Sequence, residues 1–289
     1  MKKSFILFSL IFANFLFANA QDSDSTKEYV ENTFWGNRVI NGQSSELTPA
    51  GKLEIKISHR FGTLEQGFYD YFGLDQSSIR LGFEYGINDW LMIGYGRSTM
   101  QKTFDGFFKA KVLRQTSGKK PFPFTLTYFA DMSYNSLKWN DPTKNDYTSS
   151  RIAYVHQLIF ARSFGEKLGL QFVPTLVHKN MVPTKEDKND IFAFGFGGNY
   201  KISEKFAITG EYYYLLPNQV KSKVNGLDAN NSMSFGVDIF TGKHVFQLFV
   251  TNSTFTVEKG FITETTDKWK NGGIHIGFNL VRKFTLIHK

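Results

Sequence analysis

Residues 79–87 read IRLGFEYGI, and this segment decides the fold. Apolar or aromatic side chains occupy every odd position, whereas charged residues or glycine occupy every even one. Successive side chains of a β-strand point to opposite faces, so a period of two predicts a strand with one apolar and one polar face.

The same alternation recurs along the rest of the chain. Including residues 79–87, it predicts twelve strands of about ten residues, the length that a tilted strand needs to cross a bilayer. The faces are less clear in 90–98, 106–114 and 151–162. The other predicted strands are 53–61, 122–133, 168–178, 192–202, 206–216, 233–239, 246–250 and 274–280.

The predicted connections alternate in length, which favours a membrane barrel over a soluble sandwich. The short turns fall at 88–89, 117–121, 163–167, 203–205 and 242–243. The long loops fall at 62–76, 134–149, 179–190, 217–231 and 252–271. Residues 100–105 form one further loop on the long-loop side, but it is shorter than the others. Outer-membrane barrels have short periplasmic turns and long outer loops. We therefore predict an all-β, up-and-down antiparallel transmembrane barrel of about twelve strands, with both termini in the periplasm. The alternative is a soluble β-sandwich, which also alternates.

The first twenty residues have the features of a secretory signal peptide. Lys2 and Lys3 precede an apolar run from Phe5 to Ala18, and small residues around Ala20 form a cleavage site. At 1.5 Å per residue this run spans about 21 Å, short of the roughly 30 Å hydrocarbon core. We predict cleavage after Ala20 and location in the outer membrane. The chain has no cysteine, which excludes disulfides and thiolate sites.

Residues 21–51 do not alternate and precede the predicted barrel at 52–289. The stretch TFWGNRVIN at 33–41 combines aromatic residues with Arg38. Two interpretations stay open: a periplasmic tail or lead-in turn, and a segment inserted into the mouth or lumen of the barrel.

Several phrases resemble a family of outer-membrane β-barrels known as domain of unknown function 5777. They are TFWGNRVING at 33–42, FGLDQ at 72–76, GRSTMQKTFDGF at 96–107, PTLVHKN at 174–180, KNDIFAFGFGG at 188–198, EYYYLLPNQ at 211–219, GKHVFQLFVTNST at 242–254 and FITET at 261–265. The resemblance covers nearly all of the chain after residue 32 and implies an outer-membrane barrel. It implies no activity, cofactor or site residue.

The polar faces of the strands supply the candidate site residues. Cations predominate on the first four strands, and acids on the later ones, so we expect a lumen with a basic and an acidic wall. The predicted pore-lining residues are Lys56, Arg60, Arg80, Glu84, Arg97, Lys109, Lys111, Asp131, Glu211 and Asp238. Such residues could line a polar channel that favours anions or zwitterions. They could equally pair with one another in a packed lumen.

These features predict a narrow channel or passive transporter for small polar or anionic solutes. One alternative is a closed barrel that acts as a structural or partner-binding scaffold. The other is a membrane-embedded hydrolase, but no histidine is followed two residues later by serine, and no Gly-x-Ser-x-Gly occurs. We therefore expect no enzyme, no cofactor and no metal.

The net charge of +8 is dispersed, so no nucleic-acid partner is expected. The expected partners are outer-membrane lipid, the barrel-assembly machinery and a small polar solute.

Overall fold

The computed structural model describes residues 27–118, 121–138, 147–224, 226–242 and 244–287. The predicted signal peptide and its cleavage site lie outside the described residues.

Twelve antiparallel strands close into a barrel, in which each strand bonds to its neighbours in sequence and the last bonds to the first. They are β2 (Lys52–Thr63), β3 (Ser77–Asn88), β4 (Leu91–Ser98), β5 (Thr103–Leu113), β7 (Thr125–Asn135), β8 (Ile152–Phe164), β9 (Leu168–Lys179), β10 (Asp190–Lys201), β11 (Phe206–Leu215), β12 (Ser232–Phe240), β13 (His244–Thr251) and β14 (His275–Thr285). The predicted fold class and strand number are confirmed.

The connections give the barrel two different ends. The short-turn end carries the described residues of the connections 89–90, 114–118, 121–124, 165–167, 202–205 and 241–242, together with the start of β2 and the end of β14. The long-loop end carries 64–76, 99–102, 136–138, 147–151, 180–189, 216–224, 226–231 and 252–274. Closure without an edge strand satisfies the backbone hydrogen bonds of every strand, which is what a membrane barrel requires.

In the described part of the chain, helical structure is confined to short segments. The α-helix α1 (Glu258–Thr263) and the 3₁₀ turns Leu64–Asp70, Met100–Lys102, Thr148–Arg151 and Trp269–Asn271 lie in connections at the long-loop end. Within the described residues, no helix is long and apolar enough to span a bilayer. The short strands β1 (Lys27–Tyr29) and β6 (Thr116–Gly118) pair with each other outside the barrel sheet.

Each barrel strand has one outward apolar face and one buried inward face. In β3 the outward residues Leu81 and Phe83 are exposed, whereas the inward residues Arg80 and Glu84 are buried. In β10, outward Phe194 alternates with buried Ala193 in the same way. The period-two prediction is confirmed for both strands, and the exposed aromatic face is the one that contacts lipid.

Two irregular segments fill the lumen from opposite ends. We call residues 33–48 the inserted hairpin, because the chain enters from the short-turn end, turns tightly between Val39 and Gly42, and returns to the start of β2. We call residues 252–265 the inserted loop; it enters from the long-loop end and carries α1. Most side chains of both segments are buried. Of the two alternatives left open for residues 21–51, insertion is therefore the one seen for residues 33–48.

The interior is divided into an apolar and a charged half. Phe261 and Ile262 of α1 pack against buried inward residues of β7 to β11, including Val155 and Tyr213. The rings of Tyr213 and Phe261 are 5.0 Å apart and approach edge to face. Most of the buried charges lie along β2 to β5, where the inserted hairpin packs, although the apolar cluster also reaches Met92 of β4 and Phe107 of β5. The functional candidates of this fold therefore lie where the hairpin meets the wall.

Candidate functional site

Nine of the ten predicted pore-lining residues point inward, and Arg97 does not. The inward residues are Lys56, Arg60, Arg80, Glu84, Lys109, Lys111, Asp131, Glu211 and Asp238. Arg97 lies on the exposed face of β4, where it pairs in register with outward Phe104 and its guanidinium lies 5.4 Å from that ring. The prediction for Arg97 was wrong because the glycines of β4 conceal which face is polar. At the end of a strand its long side chain can reach polar surroundings.

Glu211 holds the tip of the inserted hairpin. Its carboxylate accepts backbone hydrogen bonds from Ile40 at 3.2 Å, Asn41 at 2.8 Å and Gly42 at 2.9 Å. Three successive N–H groups that converge on one carboxylate form an anion-binding nest. The wall therefore supplies an acceptor for backbone donors that the irregular hairpin cannot satisfy within itself.

Three amide side chains of the wall bind the carbonyl groups of the same hairpin. Gln171 donates to the carbonyl oxygen of Gln43 at 2.7 Å and Gln247 to that of Val39 at 2.7 Å. Asn279 donates to the carbonyl oxygen of Ile40 at 3.0 Å. Together with Glu211, these groups match both the donors and the acceptors of the hairpin backbone.

Lys109 is enclosed by the base of the hairpin. Its ammonium group donates to the carbonyl oxygens of Asn37 at 2.9 Å and Ser44 at 3.2 Å, and to the side chain of Gln43 at 3.2 Å. Three acceptors compensate for the removal of this charge from water. Lys111, nearer the end of the barrel, lies 3.6 Å from Glu46 of the hairpin.

Two wall carboxylates face each other across neighbouring strands and share one hairpin amide. Glu54 and Glu84 are register partners in β2 and β3. Asn37 donates to both, at 3.0 Å each. Like charges directly opposite one another destabilise a sheet, so the hairpin relieves a repulsion that the wall alone would retain.

Two further cations of the wall have partners in the structure. Arg80 forms a buried ion pair with Asp105 of β5, a residue that the sequence analysis did not single out. Arg60 donates to Asn279 at 3.1 Å and to Asn41 of the hairpin at 2.7 Å. Buried acids therefore lie on β2, β3 and β5 beside the cations, and not only on the later strands.

Arg38 and Glu258 join the two inserted segments in the middle of the lumen. The guanidinium of Arg38 donates to the carboxylate of Glu258 at 2.5 Å, and Gln43 donates to the same oxygen at 2.9 Å. Both charged residues are buried. Sequence analysis noted Arg38 but missed Glu258, because Glu258 follows no strand period and lies in a predicted outer loop.

Glu264 closes the long-loop end of the lumen. Burial by itself raises the pKa of Glu264, but the charges of Lys179 and Lys259 outweigh that effect and lower its pKa to about 2. The carboxylate also accepts a hydrogen bond from Gln101 at 2.6 Å. The inserted loop is thus tied to β9 and to the connection between β4 and β5.

A closed barrel with an exposed apolar belt and a charged interior defines a membrane β-barrel, and this class indicates an outer membrane. The chain belongs to the family described as membrane-bound beta barrel domain, known as domain of unknown function 5777, whose model matches residues 34–284. The match includes the inserted hairpin from Phe34 onwards. No curated protein matches the chain significantly.

Several solved structures share the barrel at low sequence identity. The NanC porin is 10% identical, with 80% of this chain and 98% of that chain covered and a TM-score of 0.48. The KdgM porin is 9% identical, with coverage of 82% and 99% and a TM-score of 0.45. An outer membrane channel from Pseudomonas putida F1 is 13% identical, with coverage of 83% and 98% and a TM-score of 0.48. At this distance the likenesses do not inform the choice of solute.

Proposed function

We propose that the protein is a gated outer-membrane channel for small polar solutes, and that the arrangement described above is its closed state. The observation that carries the proposal is the polar contact between the inserted hairpin and the wall. Glu211, Gln171, Gln247, Asn279 and Lys109 all bind the hairpin through hydrogen bonds. Water or a polar solute can replace each of these bonds, which is not true of an apolar core.

The topology supports a hairpin that can withdraw. Both arms of the hairpin reach the short-turn end, and no residue of 33–48 pairs with a barrel strand. Movement toward that end would leave all twelve strand pairings intact. The wall groups exposed by withdrawal are charged or amide side chains, which suit a hydrated path.

The charge of the wall does not support a preference for anions. Among the buried wall residues, four are cations and six are acids. The cations are Lys56, Arg60, Arg80 and Lys109, and the acids are Glu54, Glu84, Asp105, Asp131, Glu211 and Asp238. Because the acids are not outnumbered, we propose small neutral, zwitterionic or cationic solutes in place of the anions expected from the basic strands.

A closed scaffold is the second candidate, and the packing of α1 favours it. Phe261 and Ile262 are buried in the apolar half of the interior, and displacing them would expose apolar surface to water. A barrel closed in this way would act through its outer loops.

Planar-bilayer recording of the wild type and of Glu211→Gln tests the proposal. The substitution keeps the size of the side chain but removes the charge that three backbone N–H groups bind, so open probability should rise several-fold. Asp131→Asn is the matched control, since this wall acid is also buried and inward but its carboxylate makes no hydrogen bond to the hairpin within the described residues. Folded protein that shows no conductance steps in any variant would refute the channel and leave the scaffold.

A further inference from the structure

A separate cavity opens at the long-loop end, outside the charged contact between hairpin and wall. It lies between α1 and the connections 180–189 and 216–231, and its volume is about 270 Å³. Residues at the ends of β7, β8 and β9 complete its lining. The cavity is thus built from six separate parts of the chain.

Cations outnumber acids in the lining of this cavity. The described lining residues include five cations and two acids: Arg151, Lys179, Lys188, Lys223 and Lys259 against Asp187 and Glu264. This excess contrasts with the buried wall of the lumen, where acids predominate.

Both acids are already occupied by internal donors. Asp187 accepts from the backbone of Lys221 at 2.6 Å and Ser222 at 2.8 Å, and from the hydroxyl of Thr184 at 2.7 Å. Burial by itself raises the pKa of Asp187, but these hydrogen bonds to the charged carboxylate outweigh that effect and lower its pKa to about 2. Asp187 is therefore engaged in fixing the loop.

Glu264 is shared between two lysines, which leaves a net positive charge at the floor of the cavity. It accepts from Lys179 at 2.8 Å and Lys259 at 3.4 Å. Two ammonium groups against one carboxylate leave one charge without an acidic counterpart among these three residues. Both lysines are mostly buried, so an anion that reaches them is screened less than at an open surface.

The uncharged part of the lining combines apolar and polar side chains. The apolar ones include Ile152, Ile191 and Val220, and the polar ones are Gln101, Asn135, Ser150, Ser222 and Thr263. A cavity with apolar walls and a few convergent charges is the usual form of a small-molecule site. At about 30 Å³ per water molecule, its volume corresponds to about nine waters, or a ligand of roughly ten non-hydrogen atoms.

We propose that this cavity binds a small organic anion with an apolar body, such as an aromatic or short aliphatic carboxylate. The carboxylate is held by Lys179 and Lys259, and the apolar body lies against Ile152, Ile191 and Val220. Binding does not require the barrel to conduct, so it is independent of the proposed channel function.

Equilibrium dialysis of the full barrel in detergent against benzoate tests the proposal, with benzamide as the neutral probe of the same shape. Benzoate should bind saturably at one site per chain, and benzamide at least about tenfold more weakly. Lys179→Gln removes the excess charge while Lys259 still compensates Glu264, so benzoate affinity should fall about tenfold with benzamide unaffected.

Lys201→Gln is the matched control, because Lys201 also ends a strand but lies at the opposite end and donates to the carbonyl oxygen of Asn32 at 2.5 Å. It should leave benzoate binding unchanged. If Lys179→Gln does not fold, Lys223→Gln on the exposed loop should weaken benzoate binding by a smaller factor. Equal binding of benzoate and benzamide, an equal loss in Lys201→Gln, or no saturable binding would overturn the proposal. If benzoate binds as expected but bilayer recording shows no conductance steps, only the proposed channel function is refuted.

Discussion

Arg38 donates to Glu258 across 2.5 Å in the middle of the barrel, and the two residues come from segments that enter through opposite ends. They are 220 positions apart in the chain. This contact ties the inserted hairpin to the inserted loop, so the hairpin can withdraw only when the ion pair breaks. The ion pair therefore couples the two halves of the closure.

Removing one partner of this pair should strongly destabilise the barrel. Glu258→Gln leaves the buried guanidinium of Arg38 with one acidic neighbour, Glu84 at 3.9 Å, and we expect a loss of about 3–5 kcal/mol. Glu31→Gln, which removes the partner of partly exposed Arg114, should cost about 0–1 kcal/mol. Thermal unfolding, followed by the shift between folded and unfolded bands on unheated gels, measures both. Equal losses would mean that the central pair has no special role.

A methyl group at Gly42 should displace the tip of the hairpin. A Cβ atom there would lie 2.0 Å from the hydroxyl oxygen of Tyr213. Tyr213 cannot easily move aside because its ring packs on Phe261. Gly42→Ala should therefore lower the melting temperature and increase protease cleavage within residues 33–48. Gly36→Ala, whose nearest contact would be an ordinary 3.4 Å, is the control, and the same cleavage in both variants would contradict the packing described.

The cost of arginine on the outer face should depend on depth. Phe172 lies in the middle part of β9 and Phe164 at the end of β8, and both point outward. Phe172→Arg should cost about 2–4 kcal/mol, whereas Phe164→Arg should cost about 0–1 kcal/mol because it lies near the interface. Urea titration of the protein folded into lipid vesicles measures the difference. Equal costs would place Phe172 away from the bilayer midplane.

Acid should weaken the attachment of the inserted loop through Glu264. Because its folded-state pKa is lowered to about 2 from an ordinary 4.5, its stabilising contribution is complete above pH 4.5 and is lost as the pH falls through about 2. The contribution amounts to about 3 kcal/mol. The difference in stability between wild type and Glu264→Gln should therefore shrink between pH 4.5 and pH 2. A difference that is constant over this range would refute the assignment.

Sequence periodicity predicted the barrel, because a strand that separates lipid from a polar interior must alternate at every position. It also placed Lys109 and Glu211 inward, on the polar faces of their strands. It could not predict what these residues bind. Their partners lie in the hairpin and the inserted loop, which follow no period and are joined to the wall by contacts between distant parts of the chain.

The errors have physical reasons of the same kind. Arg97 was assigned to the lumen because Gly94 and Gly96 carry no side chain to mark the inward face of β4. The preference for anions, which stays a prediction, rested on counting cations in the first four strands, without Asp105, which lies on the same wall and pairs with Arg80. A charge count predicts selectivity only after the partners of each charge are known.

A disulfide that locks the inserted hairpin to the wall tests the central claim most directly. The side-chain nitrogen of Asn41 in the hairpin lies 2.9 Å from the hydroxyl oxygen of Ser234 in β12, and the chain has no native cysteine to interfere. Single-channel recording of Asn41→Cys/Ser234→Cys is compared with Ser234→Cys/Thr251→Cys, which links two wall strands whose hydroxyl groups are 2.9 Å apart. We predict that the first variant is silent when oxidised and conducts after reduction, while the second conducts in both states. Equal conductance of the first variant before and after reduction, or silence of every variant after reduction, would contradict a barrel gated by its inserted hairpin.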